Sequence, residues 1–349
     1  MILVLRALGV GDLVTAVPAL RGLRAAFPER TLALAAPRWL APLVDLVGGV
    51  DHLVPTEGLE AAGRPVTGGG ERGRDAPGAG AGGLPAAYWA VNLHGRGPQS
   101  HRLLQAAAPE RLCAFACADA EHHDGPRWDP TEHEVRRWCR LLDWYGVETD
   151  PEDLGLARPS PHRVPVGVTV VHPGAKTPEK RWPAERFAAV ARELARSGHR
   201  VVVTGSRPER ELVERVARDA GLPGTAVVAG RLDLAGLAAL VAHGRMLVSA
   251  DTGVAHLATA YGIPSVVLFG PVSPAQWGPP PDRPWHRALW AGETGPGGSP
   301  GNTGSPVEDG LPDGVVGPGV DPAAIGVAEV LDATDEVERA GRERGAVAA

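Results

Sequence analysis

Three places in the chain bring together residue types able to do chemistry. Near the start, Gly9-Val10-Gly11-Asp12 follows the apolar run Ile2-Leu3-Val4-Leu5. A carboxylate at a helix opening can cap that helix, or it can serve as a general base aimed from a sheet edge into a ligand site. In the middle, Lys176, Lys180 and Arg181 gather between a strand end and a helix start. Cations there can offset the charge that develops on a leaving diphosphate. The third place is Asp251-Thr252-Gly253-Val254-Ala255-His256. Gly253 lets a ligand approach the backbone, Thr252 suits an N-cap, and the free N–H groups of the helix start suit a phosphate. A carboxylate beside phosphate is repelled, so a functional Asp251 suits a neutral, hydroxyl-bearing group such as a sugar. The plainer alternative is that Asp251 and Thr252 simply cap the helix.

The elements that must position these residues alternate in type. In the first half, strands are expected at residues 2–5, 31–36, 52–54, 88–94 and 111–115. Helices are expected at 13–26, kinked by Pro18, and at 39–47, 99–107 and 131–145. Gly95-Arg96-Gly97-Pro98 forms a loop after the strand that ends in His94. The second half reads as strands at 166–172, 200–204, 226–229, 246–248 and 266–269. Its helices fall at 183–197, 208–220, 234–243 and 254–261, with a final helix over 321–335. Such alternation predicts an α/β protein with parallel sheets covered by helices on both faces. Ligands of such sheets bind at the carboxyl ends of strands. The Pro-rich stretch 151–165 is the expected linker between domains 1–160 and 161–335. Gly/Pro-rich stretches at about 63–85 and 292–319 are expected to be a flexible insertion and a mobile loop.

Composition bounds the function. The 349 residues suffice for two domains. A net charge of -6 argues against a general nucleic-acid binder. No apolar run reaches the ~18 residues of a membrane span, and Arg6 interrupts an N-terminal run too short for a signal peptide. The expectation is a cytoplasmic protein, with peripheral contact at the inner face of a membrane left open. Three cysteines, Cys113, Cys117 and Cys139, give no disulfide framework. With His122, His123 and His133 they match no zinc-finger spacing, so no metal is expected. The glycine pattern after the first strand lacks the third glycine of a dinucleotide fingerprint, which disfavours a nicotinamide enzyme.

Taken together, the sequence resembles glycosyltransferase family 9, the ADP-heptose:lipopolysaccharide heptosyltransferases and their relatives. The resemblance rests on Gly11-Asp12 with Pro18-Ala19-Leu20, and on His172-Pro173-Gly174-Ala175 with Lys180-Arg181-Trp182-Pro183. It rests also on Asp251-Thr252-Gly253 with His256-Leu257-Ala258, and on Phe269-Gly270-Pro271. It implies a GT-B architecture: two Rossmann-like domains facing across a cleft, acceptor on the first and donor on the second. It further implies inverting transfer of a sugar, a heptose from ADP-heptose, without a metal or other cofactor. The absence of an Asp-x-Asp pair agrees with metal independence. The nucleotide-sugar donor and a glycan, lipid-linked or small-molecule acceptor are the expected partners. The resemblance makes Asp12 the general base and Lys180 a donor-phosphate contact. It gives Asp251 the donor sugar hydroxyls, Thr252 and Gly253 the diphosphate, and Glu209 the ribose. His256 joins the donor side, and Gly11, His94 and Arg96 the acceptor-side loops. Ala175 and Lys176 stand where some relatives carry two hydroxyl residues before the lysine. The alternatives are a nucleotide-sugar epimerase of similar architecture and a non-catalytic nucleotide-sugar-binding protein.

Overall fold

A computed structural model describes residues 1–61, 84–292 and 320–347. Both Gly/Pro-rich stretches fall almost wholly outside the described residues. The chain divides into two compact units between Leu154 and Gly155.

The first unit contains β1 (Ile2–Leu5), α1 (Val10–Thr15), α2 (Val17–Ala26), β2 (Leu32–Ala36), α3 (Ala41–Val47) and β3 (His52–Pro55). It continues with α4 (Gly58–Ala61), β4 (Trp89–Asn92), α5 (Gln99–Gln105), β5 (Arg111–Cys113) and α6 (Glu134–Trp144). The strands form a parallel sheet in the order β3-β2-β1-β4-β5. The order reverses between β1 and β4, so the loops after those two strands flank the switch point, where doubly wound sheets bind ligands. Every residue of β1 is buried, as a central strand covered on both faces requires.

The expected helix over 13–26 is two helices. Pro18 sits in the first turn of α2, where a missing N–H costs nothing, and the chain breaks at Ala16 instead of kinking. The first helix also begins earlier than expected, at Val10. Gly11 is therefore a buried residue of α1 and not part of a loop, and Asp12 lies in the helix's first turn.

The second unit contains β6 (Thr169–His172), α7 (Ala184–Arg196), β7 (Val201–Val203), α8 (Arg210–Asp219), α9 (Leu234–Ala242) and β8 (Met246–Ala250). Then follow α10 (Gly253–Tyr261), β9 (Ser265–Phe269), α11 (Pro274–Trp277), β10 (His286–Trp290) and α12 (Val327–Val347). Its parallel sheet runs β10-β9-β8-β6-β7, with the switch point between β6 and β8. Residues 226–229 do not form a strand; only Val227 bridges Val203. The short apolar run there is spent on packing beside β7. Sequence periodicity does not reveal β10, because its residues alternate irregularly between buried and exposed. The last helix is longer than expected and buries Val330, Ala333 and Val337 in the unit's core.

Candidate functional site

In the second unit, two loops meet at the switch point. The register pairs His172 with Ser249 at the ends of β6 and β8. His172-Pro173-Gly174 and Asp251-Thr252-Gly253 therefore leave the sheet side by side. Lys180, in a single 3-10 turn, returns toward the second loop and places Nζ 2.7 Å from Asp251 Oδ2. Asp251 is 6% exposed, so this pairing compensates a carboxylate largely withdrawn from water.

Neither member of the Asp-Thr pair caps α10 with its side chain. Thr252 is the N-cap residue by backbone position, yet its side chain makes no capping bond. Its Oγ1 is buried without a hydrogen-bond partner. The first turn of α10 thus receives no side-chain cap from Thr252, which suits its leading N–H groups to an anion. Gly262, at φ 63°, ends this helix in the left-handed region. His256 lies in the same first turns, its ring edge-on to Trp277 with centroids 5.8 Å apart.

Glu209 is the N-cap residue of α8, and its Oε2 accepts from Ser206 N at 2.8 Å and Ser206 Oγ at 2.7 Å. Its carboxylate lies so close to Gly174 that a Cβ there would stand 2.3 Å from Oε1. Only glycine admits this approach. His172, next to that loop, is buried, with Nδ1 unpartnered. Burial lowers its pKa, and the neighbouring Glu209 charge opposes the shift.

In the first unit, Asp12 accepts from Gly9 N at 3.0 Å through Oδ2. Its Oδ1 faces the guanidinium of Arg6, 3.5 Å from Nη2, buried and without a hydrogen bond. Arg6 is fully buried. It donates from Nε to the Asp12 carbonyl at 2.9 Å, from Nη1 to the Leu93 carbonyl, and from Nη2 to Glu134 Oε1 at 2.7 Å. Glu134 also pairs with Arg137 and accepts from Trp138 Nε1 at 2.8 Å.

The loop after β4 is held by Asn92, which accepts the His94 N–H through Oδ1 and donates to Ser100 Oγ. His94 is buried with both ring nitrogens unpartnered. Its pKa falls to about 4, first through burial and then through the charge of Arg6, so the ring is neutral near pH 7. Arg96, two residues on, is exposed.

The sequence reading overlooked Arg6, Glu134 and the packing of Trp277. A signal for the first existed: Arg6 is a charge set flush against an all-apolar strand. Two of the three cysteines, Cys113 and Cys139, are buried. Burial pushes the Cys113 thiol up to about 12 and the Cys139 thiol up to about 11. Among the described residues, no three His, Cys, Asp or Glu side chains form a metal-sized cluster. Among the same residues, no helix is long and apolar enough to cross a membrane.

Residues 117–292 match the family model described as glycosyltransferase family 9 (heptosyltransferase). Lipopolysaccharide heptosyltransferase 1 of Pseudomonas aeruginosa is 41% identical over 151 residues, covering 41% of each chain. Lipopolysaccharide heptosyltransferase 3 of Escherichia coli is 30% identical over 129 residues, covering 36% of each. The chain thus spans about two-fifths of the length of these curated relatives. A glycosyl transferase family 9 structure from Veillonella parvula aligns over 97% of both chains with TM-score 0.72 and 21% identity. The E. coli ADP-heptose LPS heptosyltransferase II structure aligns over 97% of this chain and 98% of its own, with TM-score 0.67 and 20% identity. The fold is the expected GT-B fold, built of two parallel-sheet α/β units.

Proposed function

The chain belongs to glycosyltransferase family 9, the heptosyltransferases, and we propose that it transfers a heptose from ADP-heptose to a hydroxyl of a glycan acceptor, inverting the anomeric centre and using no metal. The relatives are named for lipopolysaccharide, and a lipopolysaccharide core is the acceptor class we assign. The reaction would then take place in the cytoplasm, at the inner face of the membrane.

One observation carries this reading: the Lys180–Asp251 pair at 2.7 Å beside the uncapped first turn of α10. A nucleoside diphosphate needs positive charge and N–H donors. Lys180 supplies the first, and Thr252, Gly253 and the helix start supply the second. Lys180 lies between the Asp251 carboxylate and that diphosphate as their shared counter-charge. Its remaining lone pairs suit sugar hydroxyls. Glu209, packed on Gly174, is placed to accept from ribose hydroxyls, and His256 completes the donor side.

Transfer needs a base for the acceptor hydroxyl. Asp12, held by Gly9 N through Oδ2, takes that proton while the acceptor oxygen attacks the anomeric carbon opposite the diphosphate. The electron pair of the breaking bond leaves with ADP, whose charge is stabilised by Lys180 and α10. His94 and Arg96, in the other loop of the first unit's switch point, contact the acceptor. Gly11, buried in α1, directly precedes Asp12 on this acceptor side.

Calorimetric titration with ADP, UDP, GDP and NADH in the presence of a chelator tests the donor assignment. Selective binding of ADP is expected. Selective binding of UDP, GDP or NADH would overturn the assignment.

A further inference from the structure

Arg6 takes no direct part in the transfer just described, yet it is a fully buried charge with hydrogen bonds from all three guanidinium nitrogens. It directly follows β1, and it bonds to groups of three segments around the first switch point. Nε holds the Asp12 carbonyl at 2.9 Å, Nη1 holds the Leu93 carbonyl at the end of β4, and Nη2 holds Glu134 of α6 at 2.7 Å. The ring of Trp138 lies beneath the guanidinium, 4.7 Å from its carbon. Nη2 also faces Asp12 Oδ1, but at 3.5 Å and without a hydrogen bond.

This division of bonds has a chemical meaning. A guanidinium bonded in a fork to a carboxylate holds its proton affinity down and would spoil a base. Here Glu134 occupies the short contact, and Asp12 receives only a long one. Oδ1 is buried toward Arg6, so Oδ2, on the Gly9 N–H, is the oxygen left to meet a substrate proton. When Asp12 becomes neutral on accepting that proton, Arg6 still has Glu134 as its counter-charge. Without Glu134, each protonation of Asp12 would leave a fully buried cation unpaired, which is strongly unfavourable. Arg137, paired with the other oxygen of Glu134, brings the four-residue cluster to neutrality while Asp12 is ionised; when Asp12 is neutral, Glu134 is the carboxylate that both guanidinium groups share.

We propose that Arg6 and Glu134 are positioning residues for the base: Arg6 fixes Asp12 through its main chain and a long charge contact, and Glu134 keeps the guanidinium compensated as Asp12 gains its proton. The proposal rests on the transferase reading above. In the step it serves, the acceptor O–H bond breaks, its proton moves to Asp12, the new bond forms from that oxygen to the anomeric carbon, and the anomeric carbon–oxygen bond to ADP breaks with its electrons.

The test compares wild type, Arg6→Lys, Glu134→Gln and the charge-balanced double variant Arg6→Met/Glu134→Gln. The assay is transfer from ADP-heptose to lipopolysaccharide lacking core heptose, with thermal melting and ADP titration in parallel. The double variant keeps the net charge of the cluster but leaves the buried Arg137 with main-chain carbonyl partners only, so it is expected to melt below wild type and above Glu134→Gln, which strands both guanidinium groups. All three variants are expected to bind ADP within twofold of wild type, and kcat is expected to fall at least tenfold, with KM for ADP-heptose changed less than threefold. A double variant that folds and turns over at wild-type kcat would show a purely structural staple and overturn the proposal. Unchanged kcat in Glu134→Gln would overturn it as well. Wild-type protein that binds ADP but transfers nothing would instead overturn the transferase reading, and this proposal with it.

Discussion

Lys180 reaches across the switch point of the second unit's sheet and sets its ammonium 2.7 Å from the carboxylate of Asp251. The cation sits on one loop and the anion on the other, and the start of α10 follows two residues after the anion. In the proposed reaction the cation of the pair meets the diphosphate and the carboxylate meets sugar hydroxyls.

The two members of that pair should separate on mutation. Lys180→Ala removes a charged hydrogen bond to phosphate worth roughly 1.5–3 kcal/mol, so ADP affinity should fall about 10- to 100-fold. Asp251→Asn removes a repulsion and should leave ADP affinity unchanged or tighter, while transfer from ADP-heptose drops. Calorimetry with ADP and a transfer assay on both variants would check this. Equal loss of ADP binding in both would contradict it.

Thr252 and Asp233 offer a contrast between an N-cap residue whose side chain caps nothing and one whose side chain caps its helix. Asp233 caps α9 by accepting from Gly236 N at 2.8 Å, whereas the Thr252 hydroxyl caps nothing. Asp233→Ala should cost about 1 kcal/mol of stability with ADP binding intact. Thr252→Val should leave the melting temperature in place and weaken ADP binding by about 2- to 10-fold. Thermal melts and titrations of the two proteins decide it.

Gly174→Ala should act through Glu209. Its Cβ would stand 2.3 Å from Oε1, so the carboxylate must move. A side-chain end can yield, so the fold should survive with a melting temperature within a few degrees. If Glu209 holds the ribose, ADP affinity should fall about tenfold, comparable to one lost charged hydrogen bond. A variant with wild-type ADP affinity would remove Glu209 from the donor site.

Buried histidines should make both units acid-sensitive. His94 in the first unit has its pKa lowered to about 4, and His286 in the second to about 3, both mainly by burial. The unfolded chain, with histidines at their ordinary 6.5, binds more protons than the folded one below that pH. Stability is therefore fully present above pH 6.5 and is lost as pH falls toward 4. Between pH 7 and pH 5 each histidine should remove on the order of 2 kcal/mol. Urea unfolding at the two pH values should show a smaller drop for His94→Gln than for wild type. An equal drop would mean that His94 is not held neutral.

Much of this was legible beforehand, for identifiable reasons. The alternation of apolar runs and amphipathic helices fixed the class of fold, and Gly262 marked the end of α10 because a left-handed residue there favours glycine. Asp12, Lys180 and Asp251 stood out because charged residues sat where strands end. The partnerships were not legible. Arg6 and Glu134 are 128 residues apart, and only the neighbouring of β1, β4 and α6 brings them to 2.7 Å. Pro18 was read as a kink because local rules do not say whether a helix bends around a proline or restarts there. The short edge strand β10 escaped because one half-exposed strand carries little periodic signal.

The central claim is that Asp12 drives transfer of a heptose from ADP-heptose. The most direct measurement is single-turnover transfer to heptose-free lipopolysaccharide, in the presence of EDTA, by wild type and Asp12→Asn, with the anomeric configuration of the product read by NMR. The account predicts an inverted product from wild type, and at least a thousandfold slower transfer by Asp12→Asn with ADP affinity unchanged. A retained anomer, or wild-type speed in Asp12→Asn, would contradict it.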